Sequence, residues 1–76
     1  MPNYLLRVRD RKNEVLLDRW TECHDTAEAL GEAQGTIRSL VRRNGFKIDP
    51  LGRVDVEDQG RRPVARLFIS EELKIL

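Results

Sequence analysis

The stretch Thr21-Glu22-Cys23-His24-Asp25 sets a thiol, an imidazole and a carboxylate side by side, and the chain holds no other Cys or His. These are the groups of a nucleophile, its base and an orienting acid. Such a triad works only when nucleophile and base come within hydrogen-bond reach while a third group steers the base, and the members are normally assembled from separate parts of a chain. Three consecutive side chains point in divergent directions. A simpler reading uses the same residues. Asp25 stands three positions before Glu28, where helical periodicity begins, and the pair has the form of a capping box for the first free amides of a helix. Cys23 is then a small half-buried thiol, with a reactive thiolate only if the helix N-terminus lowers its pKa. His24 is then a surface or staple residue.

The remaining acids give no better site. Glu71 and Glu72 are adjacent and face apart, and Asp55, Glu57 and Asp58 lie in a segment rich in Arg partners. There is no Gly-rich phosphate loop and no metal-ligand spacing. The expectation is therefore a protein that is not an enzyme, with no catalytic residue, no cofactor and no metal.

Seventy-six residues make one domain spanning 1–76. A chain of this size buries only about 60–65% of the surface that it exposes when unfolded. With a single Cys no internal disulfide can supplement a thin core, which leaves oligomerisation as the usual remedy. The start Met1-Pro2-Asn3-Tyr4-Leu5-Leu6-Arg7 has no signal-peptide pattern, no stretch is long enough to span a membrane, and a lone Cys suits a reducing compartment, so the expected location is the cytoplasm. A net charge of +1 argues against a dedicated nucleic-acid binder. Eleven of the fourteen basic residues are Arg, the side chain suited to planar contacts with carboxylates, phosphates and rings.

Alternation of Tyr4, Leu6 and Val8 with Arg7 and Arg9 predicts a first strand, and Glu14–Trp20 a second, joined by a turn centred on Lys12 and Asn13. In that register Val8 faces Leu17, Arg7 faces Asp18 and Leu5 faces Trp20. From about Thr26 to Asn44 the spacing is helical, with Leu30, Ala33, Ile37, Leu40 and Val41 on one stripe and a Schellman-type stop at Gly45 and Phe46. Gly31 and Gly35 lie away from the stripe. Arg53–Asp58 and Arg61–Ile69 predict a second hairpin with a two-residue turn at Gln59 and Gly60, so that Val54 faces Ala65, Val56 faces Pro63 and Glu57 faces Arg62. Residues 70–76 read either as one helical turn capped by Ser70 or as a frayed tail.

The expected fold is thus α+β, in the order ββαββ: a four-stranded sheet with one helix packed on one face. The helix stripe should meet Leu6, Val8, Leu17, Val54, Val56, Leu67 and Ile69, with the first and fourth strands central because they are the most apolar.

One helix leaves the other sheet face bare. On these registers that face carries Leu5, Leu16, Trp20, Val64 and Phe68 among Arg7 and Arg66, an apolar content that marks an interaction surface unless the C-terminal Leu73-Lys74-Ile75-Leu76 folds over it. It is expected to form a homodimer or to bind an unidentified protein partner, with no membrane contact. The alternative is weak binding of RNA or single-stranded nucleic acid, with Trp20 and Phe68 as stacking platforms and the flanking Arg residues meeting phosphates.

The opening Met1-Pro2-Asn3-Tyr4, the strand ending Arg9-Asp10, the helix start Asp25-Thr26-Ala27-Glu28-Ala29 and the closing Val56-Glu57-Asp58-Gln59-Gly60 resemble a family of short bacterial proteins forming a domain of unknown function. Its members begin Met-Pro-Arg-Tyr and close on a Val-x-Asp-Glu-x-Gly-Arg hairpin. The chain departs from that pattern after Asp10, where the family often has a Gly-rich turn and this sequence has Arg11-Lys12-Asn13. The resemblance implies the architecture and brings with it no activity, cofactor or site.

Overall fold

The computed structural model describes residues 1–44 and 48–74, Asn44 by its backbone alone. The expected stop at Gly45 and Phe46 lies outside the described residues. Within them the order is β1 (Asn3–Arg9), β2 (Val15–Glu22), α1 (Thr26–Asn44), β3 (Arg53–Glu57), β4 (Pro63–Phe68) and α2 (Ile69–Leu73). The strands form one antiparallel sheet in the order β2-β1-β3-β4. The class is α+β with a single long helix.

Centrality differs from the expectation: β1 and β3 are the inner strands and β4 is an edge. The reason is local. Val54 and Val56 are fully buried, whereas β4 begins at Pro63, which has no N–H to give an inner ladder.

The first hairpin keeps the expected register, with Val8 opposite Leu17, Arg7 opposite Asp18 and Leu5 opposite Trp20. The second is displaced. Val54 faces Leu67, Val56 faces Ala65 and Glu57 faces Pro63, leaving Val64 as the extra residue of a bulge. The turn is longer than Gln59-Gly60 and its left-handed residue is Arg61 (φ 67°), not Gly60. A displacement of two residues preserves parity, so Ala65 and Leu67 still face the helix and Arg66 still faces away.

The two hairpins are built alike. At the first turn the Asp10 N–H donates to the Glu14 carbonyl, Asn13 N–H donates to the Asp10 carbonyl, and the Asp10 carboxylate accepts from the amides of Lys12 and Glu14. Asp58, Arg61, Gly60 and Arg62 repeat this pattern bond for bond. The amide of Arg62 leads the contacts that hold the Asp58 carboxyl below its ordinary range. Each strand pair then carries its irregularity at the same place, Val8/Arg9 in the first and Val56/Glu57 in the second. Asp10 thus corresponds to Asp58, Leu16 to Val64 and Trp20 to Phe68, and β1 and β3 meet antiparallel between the two copies.

The core lies on one face. Leu6, Val8, Val54 and Val56 meet Ala29, Ala33, Ile37 and Val41 of α1, with Tyr4, Cys23 and Ile69 completing it and Leu40, Ile48, Ala65, Leu67 and Leu73 at its margin. Ala29 takes the place expected for Leu30, which is only half buried and lies outside this cluster. The helix sits principally over β3 and β4. Leu17, expected in the core, is consequently 39% exposed. The last helix, α2, starts after Phe68 with no side-chain cap, so Ser70 does not cap it. Its Ile69 and Leu73 join the helix-side core, while on the opposite sheet face Trp20 and Phe68 are half exposed; Ile75 and Leu76 lie outside the described residues.

Gly52 is required where it stands. A Cβ there would lie 2.6 Å from the Arg9 carbonyl oxygen, and its own carbonyl accepts the Ile69 N–H that starts α2. Gly31 and Gly35 are the reverse case, because a Cβ at either meets nothing within 4 Å. Gly31→Ala is therefore expected to raise the unfolding free energy by about 0.5–1 kcal/mol through the restricted unfolded chain and better helix propensity. Urea titration of the variant beside the parent measures the difference.

Candidate interaction surface

The Cys-His-Asp trio resolves into a helix entrance. Asp25 Oδ1 accepts the Glu28 amide at 2.9 Å, the bond expected of an N-cap. Glu28 does not complete the box on the backbone. Its carboxylate instead lies 3.0 Å from Nδ1 of the exposed His24. Cys23 is fully buried in the core rather than half buried, and burial pushes its thiol pKa up, which works against a thiolate nucleophile. Asp25→Ala should cost about 0.5–2 kcal/mol, as lost N-caps do, with Cys23 staying slow toward an alkylating reagent until the chain unfolds. Denaturant titration and thiol labelling under native conditions test both halves. No group of three or more His, Cys, Asp or Glu residues able to hold a metal occurs among the described residues.

The open sheet face is ordered by charge. Read across the strands, its middle row is Asp18, Arg7, Asp55, Arg66, with alternating signs on directly opposed residues. Arg7 Nε meets Asp18 at 2.7 Å, and the charge-assisted bond raises the Arg7 pKa. Asp55, only 13% exposed in its side chain, takes Arg66 at 2.7 Å, Arg53 at 3.2 Å and Arg9 at 3.3 Å. Arg9 also donates to the Asn13 carbonyl and Arg53 to the Asn13 side chain, tying the first turn to this network. The arginines expected to meet a partner or phosphates are thus already engaged with carboxylates.

The expected contact residues are dispersed. Leu5 does lie on the open face, opposite Trp20 and Glu57, yet it is only 2% exposed, shielded by the side chains around it. Trp20 and Phe68 are half exposed but stand at diagonal corners on the two edge strands. Val64 occupies the bulge of β4. Leu16, expected on the open face, lies at the bulge of β2 and lines a cavity on the helix side with Val8, Leu17 and Leu40.

What the structure brings together is β2. Among the described residues, Val15, Leu16, Leu17 and Trp20 are exposed large hydrophobic residues and all belong to this one edge strand. Because α1 leans toward β4, a groove opens between β2 and the second half of the helix. One part, about 440 Å³, is lined by Leu17, Arg19, Gly35, Thr36 and Leu40. A second, about 470 Å³, continues past Leu16, Leu40, Arg43 and Ile48. The two share Leu17, Leu40 and Arg43. Arg19 is pinned across the groove, its guanidinium 3.2 Å from Thr36 Oγ1 and 3.5 Å from Glu32. At the far end Asp49 accepts from the amide and guanidinium of Arg11 and from the amide of Leu51, which holds its carboxyl well below the usual range.

The outer backbone of β2 is open as well. Cys23 N–H donates to the Pro2 carbonyl, which sets the phase of the ladder. By the alternation of antiparallel pairs, Leu17, Arg19 and Thr21 then turn their amides toward β1, while Asp18, Trp20 and Glu22 turn theirs outward. The signal in the sequence was the run Val15-Leu16-Leu17, three consecutive apolar residues that break strict alternation and so imply apolar side chains on both sides of one strand.

No protein-family model matches the chain, and neither the curated proteins nor the solved structures contain a match to it. No helix among the described residues is long and apolar enough to cross a membrane.

Proposed function

We propose that this chain is a small non-enzymatic interaction module that binds a protein partner at β2, with Leu16 and Leu17 contacting it on the helix side of the sheet and Trp20 on the open side. The observation that carries the reading is the coincidence, on one strand, of exposed apolar side chains and outward-facing backbone groups. An extended segment satisfies both at once, its main chain pairing with the edge and its side chains entering the groove. The open face contributes through its Trp20 corner. Its centre is less suited, since Leu5 is shielded and the arginines are paired.

Panning a phage-displayed library of random peptides against the folded chain is the direct test. Peptides should be captured by the parent and lost with Leu17→Asp, while that variant keeps its stability to within about 1 kcal/mol because the side chain is already partly in water. Capture that survives Leu17→Asp but falls with Arg7→Ala or Arg66→Ala would move the site to the open face. Titration with random single-stranded oligonucleotides is the control for nucleic-acid binding, and tight salt-sensitive binding by the parent would replace this reading.

A further inference from the structure

The groove beside β2 has a charge as well as a shape. Three acids border it, and each is committed elsewhere. Glu32 faces Arg19 at 3.5 Å, Asp49 is held by Arg11 at 2.8 Å, and Asp10 accepts the turn amides of Lys12 and Glu14. Arg43 lines both parts of the groove and is exposed, with no carboxylate partner among the described residues. The charged side chain left to meet an occupant at the Leu16 and Leu40 end is therefore Arg43, because the Asp10 carboxylate, although the turn amides do not neutralise it, is occupied by the turn. The wall opposite β2 is also cut away at Gly35, where a Cβ would meet nothing within 4 Å. At the opposite edge α1 lies over β4, and the cavity there, about 390 Å³, is lined by sheet residues alone: Asp55, Glu57, Pro63, Ala65 and Arg66.

Resting on the reading of β2 as the binding edge, we infer that the occupant is an extended segment of another protein that pairs with the outward amides of Asp18, Trp20 and Glu22, sets an apolar side chain against Leu16, Leu17 and Leu40, and presents a carboxylate to Arg43. A second copy of this chain fits less well. Edge-to-edge antiparallel pairing about a two-fold axis keeps each face on its own side, so the axis passes through one residue, which then opposes itself. Near the middle of Val15–Glu22 that residue is Asp18 or Arg19, and like charges come directly opposite. With the axis at Trp20, Asp18 opposes Glu22. With the axis at Leu17 the overlap shrinks to the bulged end of the strand.

The test uses peptides selected from a random library on the parent chain. They should be enriched in alternating apolar residues with an Asp, a Glu or a free C-terminal carboxylate near one end, and on binding they should slow amide exchange at Asp18, Trp20 and Glu22. Arg43→Glu should weaken them about tenfold and, in a fresh selection, reverse the preference from acid to base. Gly35→Leu should block binding while leaving the protein as stable as the parent or more so, since the added side chain enters open space and helix propensity improves. Peptides that protect the β2 amides but show no acid preference and are indifferent to Arg43→Glu overturn this inference and leave the β2 reading standing. Peptides that leave those amides unprotected overturn both. A parent that sediments as a dimer with the same amides protected assigns the edge to a second copy and overturns the foreign segment.

Discussion

Ile37→Ala is expected to lower the unfolding free energy by about 2–5 kcal/mol. Ile37 is fully buried on the stripe of α1 that meets Val54 and Val56, so truncation removes the transfer energy of the side chain and leaves a cavity that a packed sheet and helix can only partly close. For a small domain with about 5–10 kcal/mol in all, a loss at the upper end leaves a substantial unfolded population at room temperature. The control is Leu17→Ala on the same side of the sheet. It should cost under about 1 kcal/mol, because Leu17 is 39% exposed. Urea unfolding followed by tryptophan fluorescence compares them. Equal losses at the two positions would mean that α1 reaches across to β2, and that the groove is closed.

The second large effect is expected at Asp55. Asp55→Asn keeps the size of the side chain but removes the one charge that Arg9, Arg53 and Arg66 share, and should destabilise the fold by about 1.5–3 kcal/mol, the range for hydrogen bonds to charged groups. It should also change what the surface does. With those guanidiniums uncompensated, the open face becomes a basic patch, and affinity for single-stranded oligonucleotides should appear at low salt and fall steeply as salt is added. The parent, with its row of alternating charges intact, should bind much more weakly under the same conditions. Fluorescence anisotropy with a labelled random oligonucleotide reads this directly, and equal binding by parent and variant would show that Asp55 does not control the charge of that face.

How far the sequence could be read depended on whether a feature was set locally. The first hairpin was legible because Leu6, Val8 and Arg7 alternate cleanly and a one-residue slip would bury Asp18. The second was legible in parity but not in register, because Gly60 is the obvious candidate for a left-handed turn residue and Arg61 takes that conformation instead, braced by Asp58 and by its own bond to Glu57. The precedent lay in the chain itself, since Asp10 and Asn13 make the same turn. Strand order depended on pairings between distant segments, and here Pro63 was an available clue that outweighed the apolarity of its strand. The surface was harder. Counting apolar residues on a face gave Leu5 the same weight as Trp20, yet Leu5 stands on the inner strand β1 and is 2% exposed, whereas Trp20 stands on the edge strand β2 and is 50% exposed. The groove was not legible at all, because it follows from the lean of α1 toward β4, and helix periodicity fixes which side of a helix is buried but not which strands lie beneath it.

The two hairpins share a turn and a bulge, but where β2 begins with Val15, β4 begins with Pro63, and the difference bears on how the protein behaves when crowded. A sheet open at both margins can stack head to tail, β2 of one molecule on β4 of the next, in a repeat that never closes and so lengthens into a fibre. Pro63 gives no amide to an incoming strand, and the Val64 bulge disrupts the line along which one would align. A strand added at β2 therefore completes the sheet on that side without offering an equivalent margin on the other. Growth ends at one addition, which lets a chain keep an exposed apolar edge for recognition without seeding its own polymer.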